Sequence, residues 1–597
     1  VEFNEIDLAV SMMLLGAIVF MMLMFMVLNH PDEDMRYYSW SVISTTLSIF
    51  IAVLLYEGIA TLLQTFVTSD GARLAVCLVQ MIVYYLLLQL TLARMSGSLE
   101  GQPYRNSAYR EGTSVWVTVE MQKEWRHRGI KCWATLVSHM TGFAAIGAGK
   151  RMISACPPAL SFLVAFLVLV LQFLFATSLR SLREVFLARA KRKMKPFATF
   201  ATSFEDAAPE TQSLGPSEAY EASRMLRKLA VAAGAQSEEY EGPEAYMEIW
   251  EGLQTGNPVE VRRLVVDLVA RACEAHAHVD VDKDVRAHMT DDPDHQREDA
   301  HGGHGGFPLA DMSLRGLVAL SEARVPEARA NLKAYAMQAW DEEAYESENE
   351  IMGLAFSYLF VEAFKLWVSG GSHIEHRDDV STQICMSFLG LGACSAAGAV
   401  GSMVFYNRYA GKLEGAVEGA LPSRWVRRIS TISEISMAFA LAWSLLAFIE
   451  LQLFSRIPEK IAPSMECSVF RVVSALVVSI LVFLAIRLLD LVADMDMTRD
   501  TFDLVLYSII SSLGILVGFS WEESFHLGLE VIAEKVKMSG LTELIFTFLV
   551  ALVALVPWRL YVLPKRLHLE HERKEMLMDK HMSAFQMADA RSVTAAP

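Results

Sequence analysis

The sequence lacks the short motifs that mark nucleotide-binding and hydrolytic sites. It contains no Walker P-loop, no Rossmann glycine motif, no Gly-x-Ser-x-Gly and no His-Glu-x-x-His. These motifs position phosphates, nucleophiles or a catalytic zinc ion, so the enzyme classes that depend on them have no support here. We therefore expect that the chain is not an enzyme and that it uses no cofactor.

Cysteine is also sparse, and no Asn-x-Ser/Thr sequon occurs. The seven cysteines show no Cys-x-x-Cys spacing, and most lie in or beside apolar runs, as Cys77 and Cys385 do. This distribution predicts buried structural thiols rather than a disulfide framework or a zinc site. No basic segment precedes the first apolar run, so we predict no signal peptide.

Long uncharged apolar runs are what the chain does have. Of its 597 residues 53% are hydrophobic, and runs such as Ala9–Leu28 and Ser161–Thr177 carry no charge. About 20 apolar residues in a helix span a bilayer with every backbone polar group satisfied internally. The sequence predicts an all-α, polytopic integral membrane protein with about eleven spans, at 7–29, 38–66, 74–94, 132–149, 157–180, 351–369, 383–406, 430–453, 468–491, 503–521 and 541–562.

The distribution of Lys and Arg predicts the orientation of these spans. Segments rich in Lys and Arg alternate with loops that contain few of these residues. The rich segments are 94–131, 180–195, 407–429 and the tail after 562. Cytoplasmic loops carry the excess of Lys and Arg, so we expect the N-terminus outside and the C-terminus and the 190–350 segment in the cytoplasm. The short span 132–149 is counted because the alternation requires it.

Composition divides the chain into four predicted parts. Residues 200–350 hold 31 Asp/Glu against 13 Lys/Arg, a net charge of −18, which argues against binding nucleic acid or anionic lipid. We predict a mainly helical, partly disordered acidic insert in the cytosol that offers a surface to a protein partner. The parts are a bundle of about five spans (1–189), the insert (190–350), a bundle of about six spans (351–566) and a cytosolic tail (567–597).

Two weak metal-site patterns occur in this insert. Asp280, Asp282 and Asp284 occupy positions 1, 3 and 5 of an EF-hand-like loop, but Val285 stands where the loop needs glycine. His276 and His278 begin a histidine-rich stretch of the kind that binds transition metals. The alternative for both patterns is a solvated acidic and histidine-rich loop.

Ionisable side chains inside spans are the candidate residues of a transport path, because a bilayer tolerates them mainly beside a partner or a cavity. Glu362 and Lys365 lie one turn apart in span 6, and His139 lies in the middle of span 4. The alternatives are a structural ion pair and a packing histidine. Four acids near the predicted outer helix ends suggest an acidic vestibule or ordinary exposed helix ends: Glu57, Glu450, Glu522 and Glu523.

Similar stretches recur at an offset of six spans. Residues 162–171 and 548–557 are identical at six of ten positions; weaker matches link 44–57 with 433–450 and 139–149 with 511–521. We interpret the matches as a parallel internal repeat, with chance similarity of apolar helices as the alternative. Span 6 has a partner in this repeat only if one further span precedes Val1. The resulting six spans per half would resemble the layout of the major facilitator superfamily, although the first loop reads HPDEDMRYYSW and lacks that family's glycine- and arginine-rich motif.

These features favour a secondary transporter that moves a small solute or ion across a lipid bilayer. Two other classes stay open: an ion channel regulated by the insert, and a membrane scaffold or sensor that does not transport. A transporter predicts two superposable halves around a cavity, a channel predicts a continuous pore in an oligomer, and a scaffold predicts neither feature and dry packing of its helices.

Overall fold

The computed structural model describes residues 5–67, 69–98, 115–205, 314–370, 377, 380–406, 421–459, 463–465, 467–493, 500–533, 539–573 and 576. Every regular element in these ranges is helical, as the all-α class predicts. The helices are α1 (Glu5–Leu28), α2 (Glu33–Thr65), α3 (Asp70–Ser96), α4 (Val115–Ser154), α5 (Ser161–Glu205), α6 (Leu314–Val368), α7 (Thr382–Phe405), α8 (Leu421–Arg456), α9 (Ser468–Ala493), α10 (Asp500–Ala533) and α11 (Ser539–Pro557), which continues into a π-helical turn (Trp558–Val562).

Nine of the described helices are long and apolar enough to cross a membrane, as in a multi-pass membrane protein. Each predicted span lies on one of the eleven helices, but α4 and α10 fall outside those nine, so the count of eleven and the repeat stay predictions. Large apolar side chains also face outward: Met26 on α1 is 77% exposed and Val553 on α11 is 74% exposed. Exposed apolar faces of this kind suit a lipid environment.

The chain divides into two units. The first contains Val1–Met95, Arg128–Leu182 and Trp340–Pro597 and holds the apolar core described below. The second contains Ser96–His127 and Arg183–Ala339. Its described residues are helical except around Gly97, where Ser98 Oγ donates to the Ala336 carbonyl at 3.0 Å.

The core of the first unit forms where α2 packs closely on α10 and α11. Small residues permit this approach: a Cβ atom on Gly514 would lie 3.0 Å from the Val42 carbonyl oxygen, and one on Gly518 would lie 2.6 Å from that of Thr46. Thr46 Oγ1 also donates to the Gly514 carbonyl at 3.1 Å. The Gly-x-x-x-Gly spacing on α10 therefore brings two backbones together, as it does in membrane helix pairs.

Helix α6 is longer than the sequence predicts. The predicted span 351–369 and the last part of the predicted insert belong to one continuous helix, Leu314–Val368, which passes through Pro326 without ending. Residues from Trp340 onward lie in the first unit. The acidic stretch 341–350, which composition alone assigns to the insert, is therefore packed against the apolar bundle, and its carboxylates need partners there.

Candidate functional site

Glu362 and Lys365, the predicted pair on α6, are both half-buried. No ion pair between these two residues occurs in the described structure. Instead, Lys150 of α4 lies 4.6 Å from the centroid of the Tyr358 ring, and its ammonium is attracted by the Glu362 carboxylate. Lys365 acts in the same way on Glu450 of α8. The expected pair within one helix is thus replaced by interactions between helices.

His139, the third predicted residue, belongs to a buried polar network on α4 and α6. Its Nε2 atom lies 3.0 Å from Glu350 Oε1, and Ser138 Oγ donates to Glu350 Oε2 at 3.0 Å. The His139 side chain is 1% exposed. The sequence did not pair His139 with Glu350, because that acid was counted as part of the cytosolic insert.

Three further acids of α6 bind basic or amide groups from other helices. Glu343 and Glu346 lie 2.9 and 2.8 Å from Lys131 Nζ on α4. Glu348 accepts from Arg428 Nη2 of α8 and from Gln89 Nε2 of α3, both at 3.0 Å. With the previous network these residues form what we call the first polar cluster: Gln89, Lys131, Ser138, His139, Glu343, Glu346, Glu348, Glu350 and Arg428.

Lys131 shows how charge is held in this cluster. Burial disfavours the ammonium, but the carboxylates of Glu343 and Glu346 outweigh that cost and hold the pKa of Lys131 above its ordinary value. The spacing of residues 343, 346 and 350 at three and four positions puts these acids on one helical face. That spacing is the signal from which sequence reasoning could have found them.

A second polar cluster lies toward the other ends of α4, α6 and α8 and includes residues of α2, α9 and α10. Arg471 Nη1 of α9 donates to Glu450 Oε1 of α8 at 2.8 Å and to Glu523 Oε2 of α10 at 2.6 Å. Arg151 Nη2 of α4 donates to Gln64 Oε1 of α2 at 2.8 Å. We define the second polar cluster as Glu57, Gln64, Lys150, Arg151, Glu362, Lys365, Glu450, Arg471, Glu522 and Glu523.

This cluster contains the four acids that the sequence suggests for a vestibule. They are not ordinary exposed helix ends, because Glu522 is 2% exposed and the side chains of Glu450 and Glu523 are 15% and 26% exposed. The acids outnumber the bases, as five glutamates meet Lys150, Arg151, Lys365 and Arg471. The second polar cluster is therefore suited to a positively charged or zwitterionic group.

Four aromatic rings from four helices contact one another between the two clusters. Trp443 of α8 lies 5.0 Å from Tyr358 of α6 and 5.1 Å from Phe519 of α10, centroid to centroid, in edge-to-face arrangements. Phe143 of α4 stacks on Phe519 at 5.8 Å with an interplanar angle of 7°. We call Phe143, Tyr358, Trp443 and Phe519 the aromatic cluster.

The order of residues along each helix places the aromatic cluster between the polar ones. On α4, Phe143 lies between His139 and Lys150, and on α6, Tyr358 lies between Glu350 and Glu362. At 1.5 Å per residue the two polar clusters are separated by about 17 Å along these helices. The arrangement provides two polar regions and an apolar barrier within one bundle.

The sequence predicts metal ligands in the insert. His276, His278, Asp280, Asp282 and Asp284 lie outside the described residues. Among the residues that are described, no group of three or more His, Cys, Asp or Glu side chains is arranged to hold a metal ion. The metal hypotheses for the insert stay predictions.

The chain was also compared with known proteins. It matches no protein family, no curated protein and no solved structure. Functional conclusions therefore depend on the geometry of the two polar clusters and the aromatic cluster.

Proposed function

We propose that this protein is a secondary transporter of a small solute or ion. The observation that carries the proposal is the aromatic cluster, whose rings come from α4, α6, α8 and α10 and lie between the two polar clusters. Alternating access requires a polar site that opens to one side while a barrier closes the other. Four rings in mutual contact are a barrier of the right kind, and a small shift of these helices would open it.

The same barrier favours a transporter over an open channel. A conducting pore needs a path that water or ions can follow, and apolar constrictions stop conduction by excluding water. The paired charges also argue against a purely structural bundle, since buried ions are expensive in a membrane and usually serve a path or a partner. The excess of glutamates in the second polar cluster favours a cationic or zwitterionic solute.

The test is flux through the purified full-length chain in liposomes. A panel of inorganic cations, amines, amino acids and small anions is first screened for ligands that raise the thermal stability of the protein. A transporter gives saturable uptake of a hit and faster uptake when the same solute is inside. Unitary current steps would instead identify a channel, and no flux of any hit would favour the scaffold alternative.

Glu362→Gln is expected to lower solute uptake by at least about tenfold, which corresponds to about 1.4 kcal/mol of lost interaction. The change removes a charge from the second polar cluster and leaves the side-chain shape almost unchanged. Glu459→Gln is the matched control, because Glu459 is exposed in the described structure. Uptake equal to that of the wild type would exclude Glu362 from the transport path.

Phe519→Leu is expected to convert coupled transport into a leak. Leucine keeps the site apolar but removes the ring that contacts Phe143 and Trp443, so the barrier loses its centre. The measurement is efflux of preloaded solute down its own concentration gradient, with no ion gradient across the membrane. Phe548→Leu is the control, since Phe548 is 56% exposed on the lipid-facing side of α11. Equal efflux in the two variants would contradict the barrier role.

A further inference from the structure

Buried polar atoms without hydrogen-bond partners gather where α2, α10 and α11 meet. Glu522, Glu543 and Thr547 are 2%, 4% and 0% exposed. The atoms that lack a hydrogen-bond partner are Glu522 Oε1, His526 Nδ1, Glu543 Oε1 and Thr547 Oγ1. Buried carboxylate oxygens are almost always hydrogen-bonded, so their state here requires an explanation.

These groups are held close together by helix packing. His526 Nδ1 lies 3.8 Å from Glu543 Oε1, which is too long for a hydrogen bond, and the two groups attract as ions only when the imidazole is protonated. A Cβ atom on Gly58 of α2 would lie 3.0 Å from Thr547 Cγ2, so α2 and α11 nearly touch at this level. Glu57, the neighbour of Gly58, acts electrostatically on both Glu522 and Glu543.

The bases that face Glu522 are already engaged. Arg471 binds Glu450 and Glu523, and Lys150 binds Tyr358. On the side of Glu543, the facing groups are His526, Glu57, Glu530 and the Thr61 hydroxyl. Arg151 faces Glu57 but donates to Gln64. Apart from the hydrogen bond between Thr61 and Glu543, the carboxyl groups of Glu57, Glu522 and Glu543 have one imidazole to share. The cost of a buried negative charge is relieved when the group takes up a proton.

We propose that Glu57, Glu522, His526 and Glu543 form a proton-binding site, and that the proton is the driving ion of the transporter. The coupling part of this inference depends on the proposed function, whereas proton binding does not. A proton needs only one free carboxylate oxygen. A metal cation needs several converging ligands, and the described residues contain no group of three His, Cys, Asp or Glu that provides them. In each cycle a carboxylate takes a proton from one side and returns it to water on the other.

Proton binding is tested without any solute. Infrared difference spectra of the full chain in lipid nanodiscs are recorded after a pH jump, and the carbonyl stretch of a protonated buried carboxyl group is followed. We expect this band in the wild type, its loss in Glu522→Gln and no change in Glu459→Gln. Glu522→Asp, which keeps a carboxyl group, should shift the band and thereby show that the site still folds.

Three outcomes of the infrared experiment would overturn the proton site. The first is an identical spectrum in the wild type and Glu522→Gln, and the second is a wild type without the band. The third is a band that disappears when sodium replaces choline at constant pH, which would identify a sodium site. Each of these results is independent of whether the protein transports anything.

Coupling is then tested with the solute found in the liposome screen. An inward proton gradient should accelerate uptake by the wild type, and Glu543→Gln, whose residue lies outside both polar clusters, should lose this acceleration while it still exchanges labelled for unlabelled solute. If the wild type shows the infrared band but its uptake does not respond to the proton gradient, the coupling is overturned. A wild type that shows the band but moves no solute would overturn the proposed function and leave the proton site standing.

Discussion

Arg428→Ala is expected to lower the free energy of unfolding by about 3–5 kcal/mol, because it leaves a buried carboxylate without its counter-ion. Arg428 Nη2 and Glu348 Oε2 lie 3.0 Å apart, with side chains that are 2% and 0% exposed. The guanidinium also lies 5.3 Å from the Phe173 ring centroid, so packing is lost together with the charge. With a total stability of about 5–15 kcal/mol for a typical domain, this single change is expected to remove a large share of that stability.

The measurement is thermal and denaturant unfolding of the purified chain in one detergent. Arg427→Ala is the matched control, since Arg427 precedes Arg428 and is exposed. The double variant Arg428→Leu with Glu348→Gln should recover most of the loss, because it removes both charges. If Arg428→Ala unfolds like Arg427→Ala, the Arg428–Glu348 pair does not hold α6 to α8.

Gly518→Ala is expected to destabilise the protein by about 1–3 kcal/mol, although alanine favours a helix over glycine by about 1 kcal/mol. The added Cβ atom would lie 2.6 Å from the Thr46 carbonyl oxygen and 3.0 Å from Ile49 Cβ. Backbone atoms of α2 cannot give way unless the two helices separate. That separation would weaken the most extensive interface of α2 and the Thr46–Gly514 hydrogen bond.

Gly401→Ala is the control for this second prediction, and its effect on stability should have the opposite sign. Gly401 lies in α7, and a Cβ atom placed on it meets nothing within 4 Å. Only the helix propensity then changes, so the variant should be as stable as the wild type or slightly more stable. Unfolding curves of Gly518→Ala and Gly401→Ala in the same detergent compare the two stabilities. Equal stability of both variants would contradict close packing of α2 on α10.

The apolar runs predicted the positions of the helices well. The predicted span 468–491 corresponds to α9, Ser468–Ala493, and 383–406 corresponds to α7, Thr382–Phe405. These segments are readable because almost every residue in them is apolar and the bilayer fixes their length. The same signal marks only the apolar part of a helix: α4 starts at Val115, well before the predicted span that begins at residue 132, because charged turns of a helix look like a loop by composition.

The sequence predicted only some of the residues in the two polar clusters. Glu362, Lys365 and His139 stood out because each is an ionisable residue inside an apolar run. Their partners did not: His139 meets Glu350, which is 211 residues away, and Gln89 meets Glu348, which is 259 residues away. A single sequence does not reveal which helices are neighbours, and the acids of 341–350 therefore looked like part of a solvated insert.

The π-helical turn at Trp558–Val562 changes the phase of the last helix. Pro557 has no N–H to give to the turn before it, and each extra residue in a helical turn rotates everything downstream by about 100°. Upstream, Thr547 faces α2. Downstream, Arg573 Cζ lies 4.7 Å from the Tyr37 ring centroid at the beginning of α2. The last helix therefore presents two faces, rotated relative to each other, to α2. It contacts α2 near both ends of α2, with no loop between the two contacts.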